Sequence, residues 1–270
     1  MNWNLFKISL RKNTMSNKTL FLIVFSFLLA IIQLNTENNW STLNEYSALI
    51  HLIGIDSSGE GTFIFVFSLP FICAFYGSSI LADDKRNNLY DFISSRVTHK
   101  DYIKTYSILS ALLGGIAAII PFLIQSWICF MLYPMIPIDK YSLSYPLFGN
   151  LFGLENLLAK APISFWLFCL IFYFVLGALY SLIGYVFSFY NKKNYLETIV
   201  PFIIMILTWL VSSLIGYEQF SPVIWSSFGH SSMFSNKLTI HPQVFMIIES
   251  MTVLFLSVIL IFKERSNDDI

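Results

Sequence analysis

Charged residues are scarce in this chain: Asp, Glu, Lys and Arg make up 12% of its 270 residues, about half the share of an ordinary soluble domain. Hydrophobic residues make up 56%. They form long blocks and do not alternate with polar residues at the period of a helix or a strand, which argues against a large soluble core. The sequence therefore predicts an all-α membrane protein that crosses the bilayer several times.

The residue patterns of catalytic and metal sites are also missing. The three cysteines, Cys73, Cys129 and Cys169, lie singly inside apolar blocks, so neither a metal motif nor a disulfide is expected. The four histidines are scattered, and neither H-E-x-x-H nor the phosphate-binding G-x-x-x-x-G-K-[ST] occurs. A net charge of zero gives no reason to expect a nucleic-acid partner. We expect no enzyme here, and any ATP would be bound by another subunit.

Apolar blocks long enough to cross a bilayer predict a single transmembrane domain, 1–270, with six helices. The predicted spans are 19–34, 62–82, 106–133, 163–189, 198–216 and 244–262. Of the 16 Lys and Arg residues, 13 lie in 1–18, 83–104, 190–197 and the C-terminal tail, on one side of these spans. Because basic loops stay in the cytoplasm, both termini are predicted to be cytoplasmic. The expected location is a cell membrane, bacterial in origin.

The first 18 residues are predicted to form an interfacial helix. Trp3, Phe6 and Leu10 share one face, and Lys7 and Arg11 share another that faces lipid headgroups. A frayed terminus is the alternative. No small-residue cleavage site follows the first apolar block, so we expect an uncleaved span rather than a signal peptide.

Small residues form a stripe on two of the predicted spans, which predicts close helix packing without deciding whether it lies within one chain or between two. The stripe residues are Gly177, Ser181, Gly184 and Ser188 in the fourth span and Ser107, Ala111, Gly114 and Ala118 in the third.

Glu249 is the ionisable residue within a predicted span, and such residues are candidates for function. It lies near the external end of the sixth span, so a structural role and a substrate or gating contact both stay open. The apolar external loops 134–160 and 217–243 either re-enter the membrane or pack on the bundle.

Nine charged residues are concentrated in the segment 83–104, between the second and third spans. Asn88 is a candidate N-cap for a first short helix, on which Leu89, Phe92, Ile93, Arg96 and Val97 would form one stripe. Residues 98–101 match the capping box [ST]-x-x-[DE] and predict a second helix that runs into the third span. A helix as short as the first one needs a surface to pack on. The mixture of acidic and basic residues favours a protein over anionic lipid.

The order of residues in this segment matches a known pattern. Asp84 is followed by the hydrophobic run 89–93 and then by 95–104, which follows a Ser/Arg-Pro-Val-x-[RK]-x-x-[YF]-x-x-[AGS]-K pattern. Asn87-Asn88 replace a Gly-Thr pair, and Val97 stands where Pro is common. With the interfacial helix, six spans and cytoplasmic termini, the chain resembles the membrane subunit of an ABC-2-type ABC transporter.

The resemblance implies that the first short helix is a coupling helix that docks on a separate ATP-binding subunit. The implied contact residues are Leu89, Tyr90, Phe92, Ile93 and Arg96. Two ATPase subunits, which bind ATP and Mg²⁺, and a second permease chain, identical or homologous, would complete the transporter. The expected cargo is an amphipathic or hydrophobic molecule such as a peptide, a lipid or a drug. The alternatives are an immunity or accessory protein that binds a peptide or partner without transport and, less favoured, a membrane-embedded enzyme.

Overall fold

The structure, a computed structural model, describes residues 2–38, 47–56, 59–135, 155–190, 195–216 and 221–227, and among these it has helices and no strand. The α-helices are α1 (Trp3–Thr14), α2 (Asn17–Asn38), α3 (Glu60–Gly77), α4 (Ser79–Arg86), α5 (Leu89–Ser94), α6 (His99–Leu132), α7 (Glu155–Lys160), α8 (Pro162–Tyr190), α9 (Leu196–Ile215) and α10 (Pro222–Ser226). A short 3-10 helix covers Ala48–His51. The all-α prediction is confirmed for this part of the chain.

Five of these helices, α2, α3, α6, α8 and α9, are long and apolar enough to cross a membrane, and they correspond to the first five predicted spans. The predicted sixth span, 244–262, and its Glu249 lie outside the described residues. The predicted second span, 62–82, is divided between two helices: α3 ends at Gly77, and a single turn residue, Ser78, separates it from α4. The helix that the capping box predicts to run into the third span is confirmed, as one 34-residue helix that begins at His99.

The helices α3, α6 and α8 pack with their backbones close together at the centre of the bundle. A Cβ atom built on Gly114 would lie 2.2 Å from Cβ of Ser181, and one built on Gly177 would lie 2.5 Å from Cβ of Ala118. Gly77 of α3 lies in the same crossing, where its Cβ would be 2.6 Å from the carbonyl oxygen of Ser110. Small residues are required there, as helix association in a membrane depends on close packing.

The two predicted stripes are placed differently by this packing. Gly114, Ala118, Gly177 and Ser181 meet within one chain at the crossing of α6 and α8. On α6, Ser107 and Ala111 are only half-buried, and their place in the contact is taken by Ser110, whose hydroxyl lies 2.8 Å from that of Ser181. Gly184 lies nearer one end of α8, where its Cβ would be 2.4 Å from the carbonyl oxygen of Glu197. Ser188 is buried and donates to the carbonyl of Tyr185.

Residues 47–56 fold into the opposite end of the bundle from α1 and α4. Leu49, Leu52 and Ile53 are fully buried, and the amide of Ala48 donates to the carbonyl of Pro134, 3.1 Å away. The run from Ala48 to Ile55 is largely apolar, and it packs among the helix ends.

Candidate functional site: the charged end of the bundle

Six helix ends meet at one end of the bundle, which we call the charged end: α1, the start of α2, α4 with α5, the start of α6, the end of α8 and the start of α9. Helix α4 lies among them and carries four consecutive charged residues, Asp83, Asp84, Lys85 and Arg86. Each of the four interacts with a different neighbouring element. The sequence placed these residues at the edge of a coupling helix, whereas the structure makes them the centre of a polar network.

Asp84 ties α1 and α6 to α4. It is 2% exposed, and its carboxylate accepts from the ammonium of Lys12 at 3.0 Å and from the hydroxyl of Tyr106 at 2.5 Å. Ser9 of α1 lies 3.2 Å from the same Tyr106 hydroxyl. A carboxylate removed from water is strongly destabilising unless it is paired and hydrogen-bonded. These two partners therefore allow Asp84 to stay buried, and they hold three helices together.

Asp83 ties α2 to α4. Its carboxylate is in a salt bridge with Lys18, near the start of α2, and accepts from Arg86 at 2.9 Å. The ammonium of Lys18 also donates to the hydroxyl of Ser79 at 2.6 Å. The side chains of Lys18 and Asp83 are partly exposed, so this pair contributes less than a fully desolvated one.

Arg86 ties the start of α9 to α4. Its guanidinium donates to Glu197 at 3.0 Å and lies over the ring of Tyr195, 4.7 Å from the centroid. Glu197 is 2% exposed and belongs to the first turn of α9, where the helix dipole favours a negative charge. Glu197 was not predicted as a functional residue from the sequence. Its position could have indicated it, because it is a single acidic residue at the start of an otherwise uncharged apolar block.

Lys85 ties the end of α8 to both α4 and α5. Its ammonium donates to the carbonyls of Ser188 and Phe189, at 3.2 and 3.3 Å, which are among the last of α8. A cation at a helix C-terminus is stabilised by the helix dipole and by carbonyls that have no partner within the helix. The same ammonium lies 5.7 Å from the ring centroid of Tyr90 and 5.4 Å from that of Phe189, so it also links α5 to α8.

Helix α5 presents two faces, and this corrects the single stripe predicted for 89–97. Tyr90 and Ile93 pack inward against the core of the charged end, and the ring of Tyr90 meets that of Tyr102 edge-on at 5.5 Å. Leu89 and Phe92 face outward with exposures of 39% and 68%. Of the five residues expected to contact an ATPase, Leu89, Phe92 and Arg96 are accessible. Tyr90 and Ile93 instead pack between α5 and the buried cluster of the charged end.

The turns that flank α5 were predicted with mixed success. Asn88 has a φ of 55°, the left-handed conformation that ends helices rather than the extended one of an N-cap. Its amide donates to the carbonyl of Lys85, and that of Asn87 to Asp83, so the two asparagines close α4. The predicted capping box at the start of α6 is confirmed: the Thr98 hydroxyl accepts from the amide of Asp101 at 3.3 Å.

The described residues of the charged end form a network of ion pairs and hydrogen bonds between helix ends. Among the described residues no group of His, Cys, Asp and Glu could hold a metal ion, and the three cysteines are free and buried. What the charged end provides is a small exposed helix, α5, fixed through α4 to the ends of five other helices. No family model matches the chain, and neither a curated protein nor a solved structure is detectably similar to it.

Proposed function

We propose that this chain is the membrane-spanning subunit of a transporter that is driven by a separate ABC-type ATPase, and that α5 is its docking helix. The observation that carries the proposal is the outward pair Leu89 and Phe92, apolar side chains exposed on a helix of six residues at the charged end. An aromatic side chain exposed in water is destabilising, and fully burying a Phe contributes about 1.5–3 kcal/mol. A protein groove that covers Phe92 would recover much of that free energy.

The network around α4 supports the second half of the proposal, which is transmission of movement. A displacement of α5 acts on α4 through the two-residue turn at Asn87-Asn88 and through the Lys85–Tyr90 contact. From α4 it reaches α8 through Lys85 and α9 through Arg86. Closely packed helices move as rigid bodies, and the small-residue crossing of α6 and α8 continues that rigidity into the bundle.

In the proposed working unit, two such chains pair with two ATPase subunits that bind ATP and Mg²⁺. The charged end faces the cytoplasm of a bacterial cell, in agreement with the bias of basic residues. The cargo is exported and is amphipathic or hydrophobic: a peptide, a lipid or a drug-like molecule. The aromatic content of 17% is what favours that class of cargo.

The proposal is tested by truncating the outward face of α5. Phe92→Ala and Leu89→Ala should abolish co-purification of the ATPase and the stimulation of its ATP hydrolysis by the permease, while membrane insertion stays normal. Ile8→Ala is the matched control, because Ile8 is 68% exposed at the same end of the bundle, on α1. Full recovery of the ATPase with the doubly truncated chain would contradict the docking role. Absence of any ATPase from the purified wild-type chain would favour the accessory protein instead.

A further inference from the structure

Three exposed basic residues follow α5 within ten residues along the chain. Arg96 is in the turn that follows this helix, and Lys100 and Lys104 lie one turn apart near the start of α6. Within the part of the chain that the structure describes, none of the three is in a salt bridge. Asp101 lies among them, half-buried, and its carboxylate accepts from the hydroxyl of Thr98 at 3.1 Å.

The acidic residues at the start of the same segment are turned inward. Asp84 is buried against Lys12 and Tyr106, and Asp83 is engaged by Lys18 and Arg86. The sequence of 83–104 mixes the two signs of charge, and the fold separates them in part. Asp83 and Asp84 hold the bundle together, while Arg96, Lys100 and Lys104 stay exposed and Asp101 stays among them.

The direction of this basic row distinguishes a protein partner from lipid headgroups. No charged residue follows Lys104 in α6, so its remaining 28 residues, about 42 Å of helix, are enough to cross a core of about 30 Å. Lys100 lies about 6 Å farther along the axis than Lys104, and Arg96 precedes the helix altogether. The headgroup layer on each side of the core is only about 5–8 Å thick, so a layer that begins at Lys104 ends near Lys100, before the turn that carries Arg96. A protein in the aqueous phase can reach all three, together with Phe92.

We propose that Leu89, Phe92, Arg96, Lys100 and Lys104 form one docking surface, and that its partner is a protein with an apolar pocket rimmed by Asp and Glu. The proposal rests on the proposed function, since it describes the chemistry of the surface that receives α5. The pocket takes the ring of Phe92, which contributes most of the affinity, as buried aromatic anchors do. The acidic rim pairs with the three cations, which speeds association and fixes the orientation in which α5 enters.

The test is photo-cross-linking in cells that make the full chain with p-benzoylphenylalanine in place of Phe92. We expect an adduct with one protein, whose cross-linked peptide contains or adjoins Asp and Glu. Lys100→Glu with Lys104→Glu should lower the adduct yield severalfold, and addition of Arg96→Glu should lower it about tenfold or more, because each exposed pair contributes about 0.2–1 kcal/mol. The matched control is Lys7→Glu with Arg11→Glu, an exposed i, i+4 pair on α1 at the same end, which should leave the yield unchanged.

The outcomes separate this inference from the function on which it rests. An ATPase adduct that is lost with the charge reversals supports both. An adduct with an identified protein that is not an ATPase, lost in the same way, supports the acidic partner and overturns the ATPase-driven function. An ATPase adduct with undiminished yield in the triple variant overturns the acidic rim and leaves the function standing. An adduct with lipid only, or none, overturns the docking surface.

Discussion

At the charged end of the bundle the buried carboxylate of Asp84 is held by the ammonium of Lys12 and the hydroxyl of Tyr106. At the opposite end, Asp56 is 7% exposed. Its carboxylate accepts a hydrogen bond from the side-chain amide of Gln33 at 2.8 Å. The Gln33 oxygen in turn accepts from the amide of Thr62 at 3.0 Å. The charged end is thus assembled from ion pairs between separate helices, whereas at the opposite end a continuous segment, 47–56, packs among described side chains that are mostly apolar.

This difference predicts how much stability the protein loses when residues at each end are substituted. Ion pairs with one exposed partner can be broken singly, because the exposed side chain returns to water. A buried segment has no such alternative, since any added volume displaces several neighbours at once. The opposite end should therefore tolerate substitution worst, and the charged end should lose stability in smaller steps.

The largest effect is expected at Gly54 in the buried segment. Its φ is +82°, and a Cβ atom there would lie 1.8 Å from the hydroxyl oxygen of Tyr173. Gly54→Ala should destabilise the protein by about 3 kcal/mol or more, from backbone strain of about 1 kcal/mol and overpacking. Thermal unfolding of the purified protein in detergent measures it.

Gly216→Ala is the control for backbone strain, because Gly216 has a φ of +78° with nothing within 4 Å of its Cβ position. Gly216→Ala should lower the free energy of unfolding by about 1 kcal/mol. Equal losses at the two glycines would show that residues 47–56 are not packed as described.

The next largest effect is expected at the buried carboxylate of the charged end. Asp84→Ala removes the partner of Tyr106 and Lys12 and should destabilise the protein by about 2–3 kcal/mol. That is less than the 3–5 kcal/mol typical of a buried ion pair, because the Lys12 side chain is 50% exposed and can be hydrated. Asp83→Ala, at a site with 29% side-chain exposure, is the comparison and should cost about 1 kcal/mol. A larger loss at Asp83 would contradict the burial of Asp84.

A smaller effect is the coupling between Arg86 and Glu197. In a double-mutant cycle of Arg86→Met and Glu197→Gln, we compare losses in the free energy of unfolding. The loss in the double variant should be about 1 kcal/mol smaller than the sum of the losses in the two single variants. The reason is that each single change leaves one charge without the partner 3.0 Å away. Additive losses would mean that α4 and α9 are not coupled through this pair, and transmission to α9 would then lack its contact.

The smallest effect is expected at the first turn of α6. Thr98→Ala removes the hydroxyl that caps the amide of Asp101. It should lower the free energy of unfolding by about 1 kcal/mol. Thr98→Ser keeps the hydroxyl and should cost less than half of that. In hydrogen exchange, the amides of 100–102 should lose protection in the Ala variant alone. Unchanged protection would place the start of α6 elsewhere.

Several features of this fold could be predicted from the sequence because their causes are local. The five described spans follow from apolar blocks of sufficient length, and the Thr98 cap follows from a four-residue pattern. The break at Ser78 and the faces of α5 did not follow, since both depend on what packs against the helix. The stripe on α6 was predicted in part for the same reason: Gly114 and Ala118 lie in the contact, but Ser110 takes the place of Ser107 and Ala111.

The sequence by itself determined the class of the protein. Hydropathy is a sum over neighbouring residues, and it predicts helices that are long and apolar enough to cross a membrane. The tertiary structure decided where the few charges go. Lys12 and Asp84 are 72 positions apart, and Arg86 and Glu197 are 111 apart. No local pattern relates such residues. They meet because the close crossing of α3, α6 and α8 brings distant helix ends to one place, where a buried charge must find an opposite one.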